Sequence, residues 1–175
     1  MIELFEEKSF AILFVLLLGV PALPLPTGGV THVFEVIAVL GAAQLVVGRD
    51  KIWLPQRWRR LELAGPRQQR FLAGLMKLIG RLERLSKPRF TFLFGSRLSN
   101  AVFGLIVIAG SVAAFLAPPF TGLDTLPALG VVLVSLAILL EDVILAVVGL
   151  VVLTAGVLLE IVLGKAAINA IGDLL

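Results

Sequence analysis

Residues 21–31 read Pro21-Ala22-Leu23-Pro24-Leu25-Pro26-Thr27-Gly28-Gly29-Val30-Thr31 and interrupt a long hydrophobic stretch. Each proline lacks a backbone N–H and disfavours helical geometry in the residue before it, so a regular helix cannot continue through three of them. The two glycines supply the backbone freedom for a turn. The segment therefore predicts that one apolar helix ends here and that a second begins, with Thr31 as its cap.

A similar interruption recurs at residues 117–125, which read Ala-Pro-Pro-Phe-Thr-Gly-Leu-Asp-Thr, and long apolar runs flank both copies. The matching positions form a predicted helix-break backbone, made of Pro24, Pro26, Thr27 and Gly28 in the first copy and Pro118, Pro119, Thr121 and Gly122 in the second. The pattern predicts an all-α fold with two internally repeated, Pro/Gly-broken hydrophobic helical hairpins.

The composition is that of an integral membrane protein. The 175 residues are 59% hydrophobic and 15% charged, with a mean hydropathy of +1.06, whereas about a quarter of the residues in soluble domains are charged. The absence of cysteine excludes disulfides, thiolate metal sites and cysteine nucleophiles. The N-terminal residues are acidic where a secretory signal would be basic, so we expect the first hydrophobic segment to be retained.

The basic residues are concentrated in the middle of the chain. Thirteen of the 15 lie between Arg49 and Arg97, and Asp50, Glu62 and Glu83 are the only acids there, which gives a net charge of +10. Such a block between hydrophobic segments is typical of a cytoplasmic loop that contacts anionic lipid, so we expect no nucleic-acid partner. Apolar residues recur at spacings of three and four within it and predict a basic amphipathic helical segment.

These features predict a single membrane domain over residues 1–175. Its parts are a first hairpin at 9–48, a basic interfacial connector at 49–97, a second hairpin at 98–142, and a C-terminal hydrophobic helix and tail at 143–175, with the apolar run ending near Gly164. With the connector in the cytoplasm, the hairpins are parallel and both breaks face outward. Re-entrant hairpins with breaks at the membrane midplane are the alternative. Because so small a chain has little protein with which to bury the polar breaks, we also expect a homodimer.

Three ionisable side chains near the breaks form a candidate polar pathway. His32 and Glu35 are three residues apart and share a helix face, and Asp124 lies at the second break. Ionisable groups within membranes commonly mark ion or proton pathways. The alternatives are a histidine at headgroup level, a glutamate that pairs with a base, and a solvent-facing loop acid.

Charged residues also end the second helix of each predicted hairpin. Arg49 and Asp50 end the first, and Glu141 and Asp142 end the second. They are candidates for an ion pair between repeats or across a dimer, although termination at the membrane interface explains them equally well. Glu160 is the one ionisable residue of the last apolar run. We expect that it faces a polar groove, pairs with a basic residue of the middle segment, or marks the point where the run leaves the bilayer.

The sequence offers little that indicates an enzyme. It contains no P-loop and no dinucleotide-binding glycine-rich turn, and its single histidine cannot build a metal site with ordinary ligand spacing. We therefore predict no catalytic residues, no cofactor and no bound metal.

Short motifs run in order through most of the chain, namely Pro24-Leu25-Pro26, Gln44 to Arg49, Trp53-Leu54-Pro55, Arg81 to Leu85, Lys87-Pro88-Arg89, Asp124 to Ala128 and Leu140-Glu141-Asp142. In these motifs the chain resembles the ExoD family, named for exopolysaccharide synthesis. The resemblance implies a multi-pass protein of the bacterial inner membrane linked to exopolysaccharide production, without a defined reaction. Two positions depart from the family pattern: Asp124 replaces the usual asparagine, and Asp142 follows Glu141 where an arginine is usual.

Two functional hypotheses follow. In the first, the protein is a small transporter or ion-linked membrane protein whose pathway contains the three candidate side chains. In the second, it is a non-transporting accessory or scaffold that binds exopolysaccharide-synthesis proteins or anionic lipids through the basic connector.

Overall fold

The structure is a computed structural model that describes residues 2–23, 30–49, 74, 77, 81, 96–117 and 122–172. Within these residues the secondary structure is entirely helical, as predicted, and contains no strand. The described residues include five helices, which form a bundle, namely α1 (Ile2–Leu18), α2 (Val30–Val46), α3 (Arg97–Leu116), α4 (Thr125–Leu140) and α5 (Val143–Gly172). The isolated residues Gly74, Lys77 and Arg81 are also helical.

Contacts between helix ends give the directions of α1 to α4. Lys8, near the start of α1, binds Glu141 just after α4, and Arg97, which begins α3, lies against Gly48 just after α2. We call this end the connector end, because the basic segment joins α2 to α3 there. The opposite end, where α2 and α4 begin, is called the break end.

Each helix of the first predicted hairpin packs mainly on a helix of the second. The most extensive contacts join α4 to α5 and α2 to α3, and α1 packs mainly on α4. The centre is aromatic: the rings of Phe14 and Phe103 meet edge-on with centroids 5.6 Å apart, and Phe10 lies 6.2 Å from Phe14. All three side chains are buried, so aromatic packing fixes α1 against α3.

Helices α4 and α5 approach each other through glycines. A Cβ atom added to Gly130 would lie 2.5 Å from the backbone nitrogen of Leu153, and one added to Gly149 would lie 2.7 Å from that of Val134. On the same face of α5, a Cβ added to Gly156 would lie 2.8 Å from the backbone nitrogen of Pro127. Small residues allow backbones in membrane proteins to pack this closely, where dispersion forces rather than water drive association.

Helices α2 and α4 end in the same hydrogen-bond arrangement. In each, a residue in left-handed conformation donates its N–H to the carbonyl three residues earlier, and the next residue donates to the carbonyl five residues earlier. The donors are Gly48 and Arg49 in α2 and Glu141 and Asp142 in α4. The φ angles are +77° at Gly48 and +52° at Glu141, so each end resembles a Schellman cap. Glycine adopts this conformation freely, whereas glutamate adopts it at a cost.

Two helices are long and apolar enough to cross a membrane. They are α3, with 20 residues, and the Val143–Ala166 part of α5, with 24 residues. At about 1.5 Å per residue they reach about 30 Å and about 36 Å, which matches a hydrocarbon core of about 30 Å. Apolar stretches in the other helices, Lys8–Leu18, Thr31–Val46 and Thr125–Leu140, are shorter.

The structure differs from the sequence prediction at both termini. Helix α1 begins at Ile2, within the acidic N-terminal residues that were assigned to no element. Helix α5 continues from the last apolar run through Gly164 into the predicted tail and ends at Gly172. A Cβ at Gly164 would meet nothing within 4 Å, so this glycine marks no turn, and the hydrogen bonds of one continuous helix outweigh its low helix propensity.

Candidate functional site

The polar side chains at the break end come from four places in the chain. His32 and Glu35 lie in the first turns of α2, Asp124 directly precedes α4, and Glu160 lies far along α5. We call these four residues the acidic cluster. The antiparallel order of the helices brings them together, because the starts of α2 and α4 share one end of the bundle with the second half of α5.

The best-defined contact in the cluster joins His32 to Glu35. Nδ1 of His32 lies 2.8 Å from Oε2 of Glu35. The Glu35 side chain is fully buried, whereas that of His32 is 27% exposed, and the imidazole also meets the ring of Phe115 edge-on at 5.1 Å. The pair therefore connects the surface of the protein to a buried carboxyl group through one hydrogen bond.

Two carboxyl oxygens at this end are buried without a hydrogen-bond partner among the described residues. They are Oε1 of Glu35 and Oε1 of Glu160. A buried polar atom that makes no hydrogen bond raises the free energy of the folded state, and an ionised one raises it further. Buried polar atoms without a partner are uncommon in packed interiors, so these two oxygens make the break end the candidate site.

The carboxyl groups are close enough to influence one another. Glu35 and Glu160 interact electrostatically, and each also interacts with Asp124. Three acidic groups thus share one region with a single imidazole, and like charges at short range repel. The region attracts protons or other cations, although no three His, Asp or Glu side chains of the described residues are placed to hold one metal ion.

A crevice reaches the cluster from the side of the bundle. It encloses about 230 Å³ between α2 and α3 and is lined by Glu35, Val36, Val39, Leu40, Val112 and Phe115. Glu35 is the only ionisable group in this lining. Phe115 belongs to this lining, and its ring also meets that of His32 edge-on.

The helix-break residues are described only in part. Of the predicted backbone positions, Gly122 is described; Pro24, Pro26, Thr27, Gly28, Pro118, Pro119 and Thr121 lie outside the described residues. Gly122 has a φ of +70° and is exposed, and its carbonyl accepts the N–H of Thr125. A left-handed turn therefore precedes α4, and glycine suits it because it has no Cβ.

The predicted interface charges have different surroundings. Nζ of Lys8 donates to Oε1 of Glu141 at 2.7 Å, which joins the first hairpin to the second at the connector end. Asp142 is buried, and its Oδ1 accepts the N–H of Ile144 in the first turn of α5. Arg49 is exposed and Asp50 lies outside the described residues.

The ion pair at the connector end gives a prediction about stability. In a double-mutant cycle with Lys8→Met and Glu141→Gln, we expect a coupling free energy of up to about 1 kcal/mol, because the pair is only partly exposed. Glutamine retains the size of the side chain at a position with positive φ. The free energies of unfolding in detergent for both single variants and the double variant provide the measurement. Effects that add to within about 0.3 kcal/mol would exclude the coupling.

Sequence reasoning did not identify two members of these sites. Glu160 was recognised as unusual, but its position beside Glu35 depends on helices far apart in sequence, which periodicity does not reveal. Lys8 was missed as a partner of Glu141, yet a signal existed: Lys8 is the only lysine or arginine before Arg49. An isolated cation beside an apolar run is a candidate ion-pair partner for an acid that ends another apolar run.

Comparison with known proteins identifies the family. The sequence pattern of the family described as "Exopolysaccharide synthesis, ExoD" matches residues 1–162. The chain belongs to the ExoD family. It is 32% identical over 171 residues to the protein ExoD of Rhizobium meliloti (strain 1021), and this match covers 97% of the chain and 70% of the relative. The resemblance deduced from the motifs is thus confirmed.

A second relative of this ExoD-family chain is an uncharacterised protein of Synechocystis sp. (strain ATCC 27184 / PCC 6803 / Kazusa). It is 33% identical over 137 residues, which cover 78% of the chain and 64% of the relative. The chain therefore spans about two thirds of the length of these relatives. No solved structure matches the sequence.

Proposed function

We propose that this ExoD-family protein is a multi-pass protein of the bacterial inner membrane that supports exopolysaccharide production by moving or exchanging protons at the acidic cluster. One observation carries the proposal. Glu35 is fully buried, with one oxygen held by a partly exposed histidine and the other without a hydrogen-bond partner among the described residues. Such a group gains and loses a proton at low reorganisation cost. The proposed role requires no catalytic residue and no cofactor.

The side chains suggest an order for proton movement. A proton from solution first binds His32, which is accessible, and then passes along the 2.8 Å hydrogen bond to Glu35. Glu160 is the next acceptor, because it is near Glu35 and also has an unpartnered oxygen. Asp124 adds negative charge to the cluster. In this scheme Asp124, which replaces the asparagine usual in the family, increases the attraction of the cluster for protons.

The orientation follows from charge. The basic segment joins α2 to α3 at the connector end, and segments rich in lysine and arginine remain in the cytoplasm. The break end, with the acidic cluster, then faces outward, and both hairpins run in the same direction. In this arrangement all five helices cross the membrane, with the shorter ones accommodated by local thinning of the bilayer.

The internal repeat remains part of the proposal, and two features support it. The contacts of α1 with α4 correspond to those of α3 with α2, as an approximate two-fold relation between hairpins requires. Helices α2 and α4 also end in the same hydrogen-bond arrangement. Many transporters contain such repeats and bind their ions where broken helices meet.

A specific observation also favours the second candidate function, that of an accessory or scaffold. Gly74, Lys77 and Arg81 are helical and exposed, and their spacing places them on one helix face. A basic helix face that is open to solvent suits anionic lipid or an acidic surface of an exopolysaccharide-synthesis protein. Homodimer formation, expected from the sequence, would bring two such faces together.

The orientation can be tested by labelling single cysteines, because the natural chain contains none. In spheroplasts, a membrane-impermeant maleimide is expected to label Leu123→Cys, beside the exposed Gly122, and to leave Lys77→Cys unlabelled until the membrane is permeabilised. Lys77→Cys serves as the matched control because its site is exposed in the structure. Protection of both cysteines would favour breaks at the midplane, and the opposite pattern would invert the proposed topology.

A further inference from the structure

A third buried polar atom lies in the half of the bundle that contains the acidic cluster. Ser111 of α3 is fully buried, and its Oγ makes no hydrogen bond within the described residues. The hydroxyls of Ser135 in α4 and Thr154 in α5 each donate to the carbonyl oxygen four residues earlier, at 2.8 Å. Ser111 does not use this common partner of a helical hydroxyl, so its oxygen is available for another one.

The register of α2 and α3 places Ser111 opposite Glu35. A Cβ added to Gly104 of α3 would lie 2.9 Å from the carbonyl oxygen of Ala42 in α2, so these two positions face each other. Ser111 follows Gly104 by seven residues, which is nearly two full turns and keeps the same helix face. In the antiparallel partner, Glu35 precedes Ala42 by the same seven residues.

A second contact supports this register on the other side. Four residues after Ser111, the ring of Phe115 meets that of His32 at 5.1 Å, and His32 precedes Glu35 by three residues. Ser111 and Glu35 therefore lie at one level between two observed contacts of the same helix pair. Each contributes a buried oxygen, Oγ and Oε1, that has no hydrogen-bond partner among the described residues.

We infer that Oγ of Ser111 and Oε1 of Glu35 together bind one water molecule, which relays protons between Glu35 and Glu160. A buried water is typically held by about two to four polar groups, and these two oxygens supply the first two. A metal ion is less suited, because hard cations take about six oxygen ligands and the carbonyls of α2 and α3 at this level belong to regular helices. The relay rests on the proposed proton exchange, whereas the binding of the water does not.

Glu160 is on the face of α5 that turns toward α3. It follows Leu153 by seven residues, and the Leu153 side chain lies 2.8 Å from a Cβ added to Gly110, the residue before Ser111. In the relay, the Glu35 carboxylic acid gives its proton to the water while the water gives one of its own to the Glu160 carboxylate. Glu35 is left as a carboxylate and the water is unchanged. Ser111 is a positioning residue, since it holds the water and keeps its own proton.

Infrared difference spectroscopy on the full chain in liposomes tests for the water. Spectra are recorded while the buffer alternates between acidic and alkaline pH, in ordinary water and in water enriched in oxygen-18. Glu35→Gln identifies the carboxyl band of Glu35, and Ser111→Ala removes the hydroxyl. Ser135→Ala is the matched control, because this serine is equally buried and already bonds to a backbone carbonyl. Thermal unfolding of every variant monitors folding.

The natural protein and Ser135→Ala should show a water band that shifts with oxygen-18 and changes together with the Glu35 carboxyl band. Ser111→Ala should lose this water band and shift the carboxyl band. Proton uptake by proteoliposomes should fall about tenfold in Ser111→Ala, roughly the value of one hydrogen bond.

An unchanged water band in Ser111→Ala would overturn the inference. A thermal stability of Ser111→Ala above that of the natural protein would also overturn it, because removal of a hydroxyl from a dry interior is favourable. Loss of the band without any change in the rate of proton uptake would overturn the relay. Equal rates for the natural protein and Glu35→Gln would instead contradict the proposed function, and would leave the water band as evidence for the site.

Discussion

Replacement of Glu35 by glutamine is expected to abolish exopolysaccharide production in a strain whose own copy has been deleted. Glutamine has nearly the same shape as glutamate, and it cannot exchange a proton, so the fold is retained while the proposed function is lost. Because glutamine fills the same space and removes an ionisable group from the interior, the thermal stability of the variant should equal or exceed that of the natural protein. Polysaccharide yield and membrane expression level are the measurements.

Glu141→Gln is the matched control for this experiment. It removes the same charge from a glutamate at the opposite end of the bundle, where the carboxyl group forms an ion pair with Lys8, and it should support normal production. His32→Ala and Asp124→Asn test the remaining polar residues predicted from the sequence. Full complementation by His32→Ala, Glu35→Gln and Asp124→Asn would exclude a pathway through the cluster and favour the accessory role.

Gly130→Ala is expected to have the largest effect on stability. The added Cβ would lie 2.5 Å from the backbone nitrogen of Leu153 and 2.6 Å from its Cα atom. Neither atom can move without displacement of α5, so we expect the free energy of unfolding to fall by about 1–3 kcal/mol. The measurement is unfolding in detergent, followed by circular dichroism or by resistance to proteolysis.

Gly164→Ala is the control for that substitution. Gly164 lies in α5, and a Cβ there would meet nothing within 4 Å. Alanine is favoured over glycine in a helix by up to about 1 kcal/mol, so Gly164→Ala should be neutral or stabilising. Equal losses of stability in both variants would show that glycine substitution disturbs these helices generally, and would contradict close packing of α4 on α5.

The sequence predicted the class of the fold because its signals are local. Clusters of prolines and glycines end helices, and apolar runs of membrane length require no partner to be recognised. Helix α1 ends at Leu18 and α3 at Leu116, each shortly before a proline-containing break. A single glycine is a weaker signal than a proline: the last apolar run ends near Gly164, yet α5 passes through this residue.

The candidate site could be predicted only in part, for a physical reason. His32 and Glu35 share a helix face, so their contact follows from helix geometry. Their proximity to Glu160 depends on how α5 packs within the bundle, and α5 packs on α4 through close contacts at glycines such as Gly130 and Gly149. The sequence did not predict the ion pair of Glu141 with Lys8 either, because it joins residues that are distant in sequence.

Proton movement in proteoliposomes tests the central proposal most directly. A pH-sensitive dye is trapped inside, the external solution is acidified, and the rate of internal acidification is followed. The natural protein and Glu141→Gln should acidify the interior well above the rate of protein-free liposomes, and Glu35→Gln should be slower by about a hundredfold, the scale of losing one proton-transfer group. Equal rates for the natural protein and Glu35→Gln would contradict a role of the acidic cluster in proton exchange.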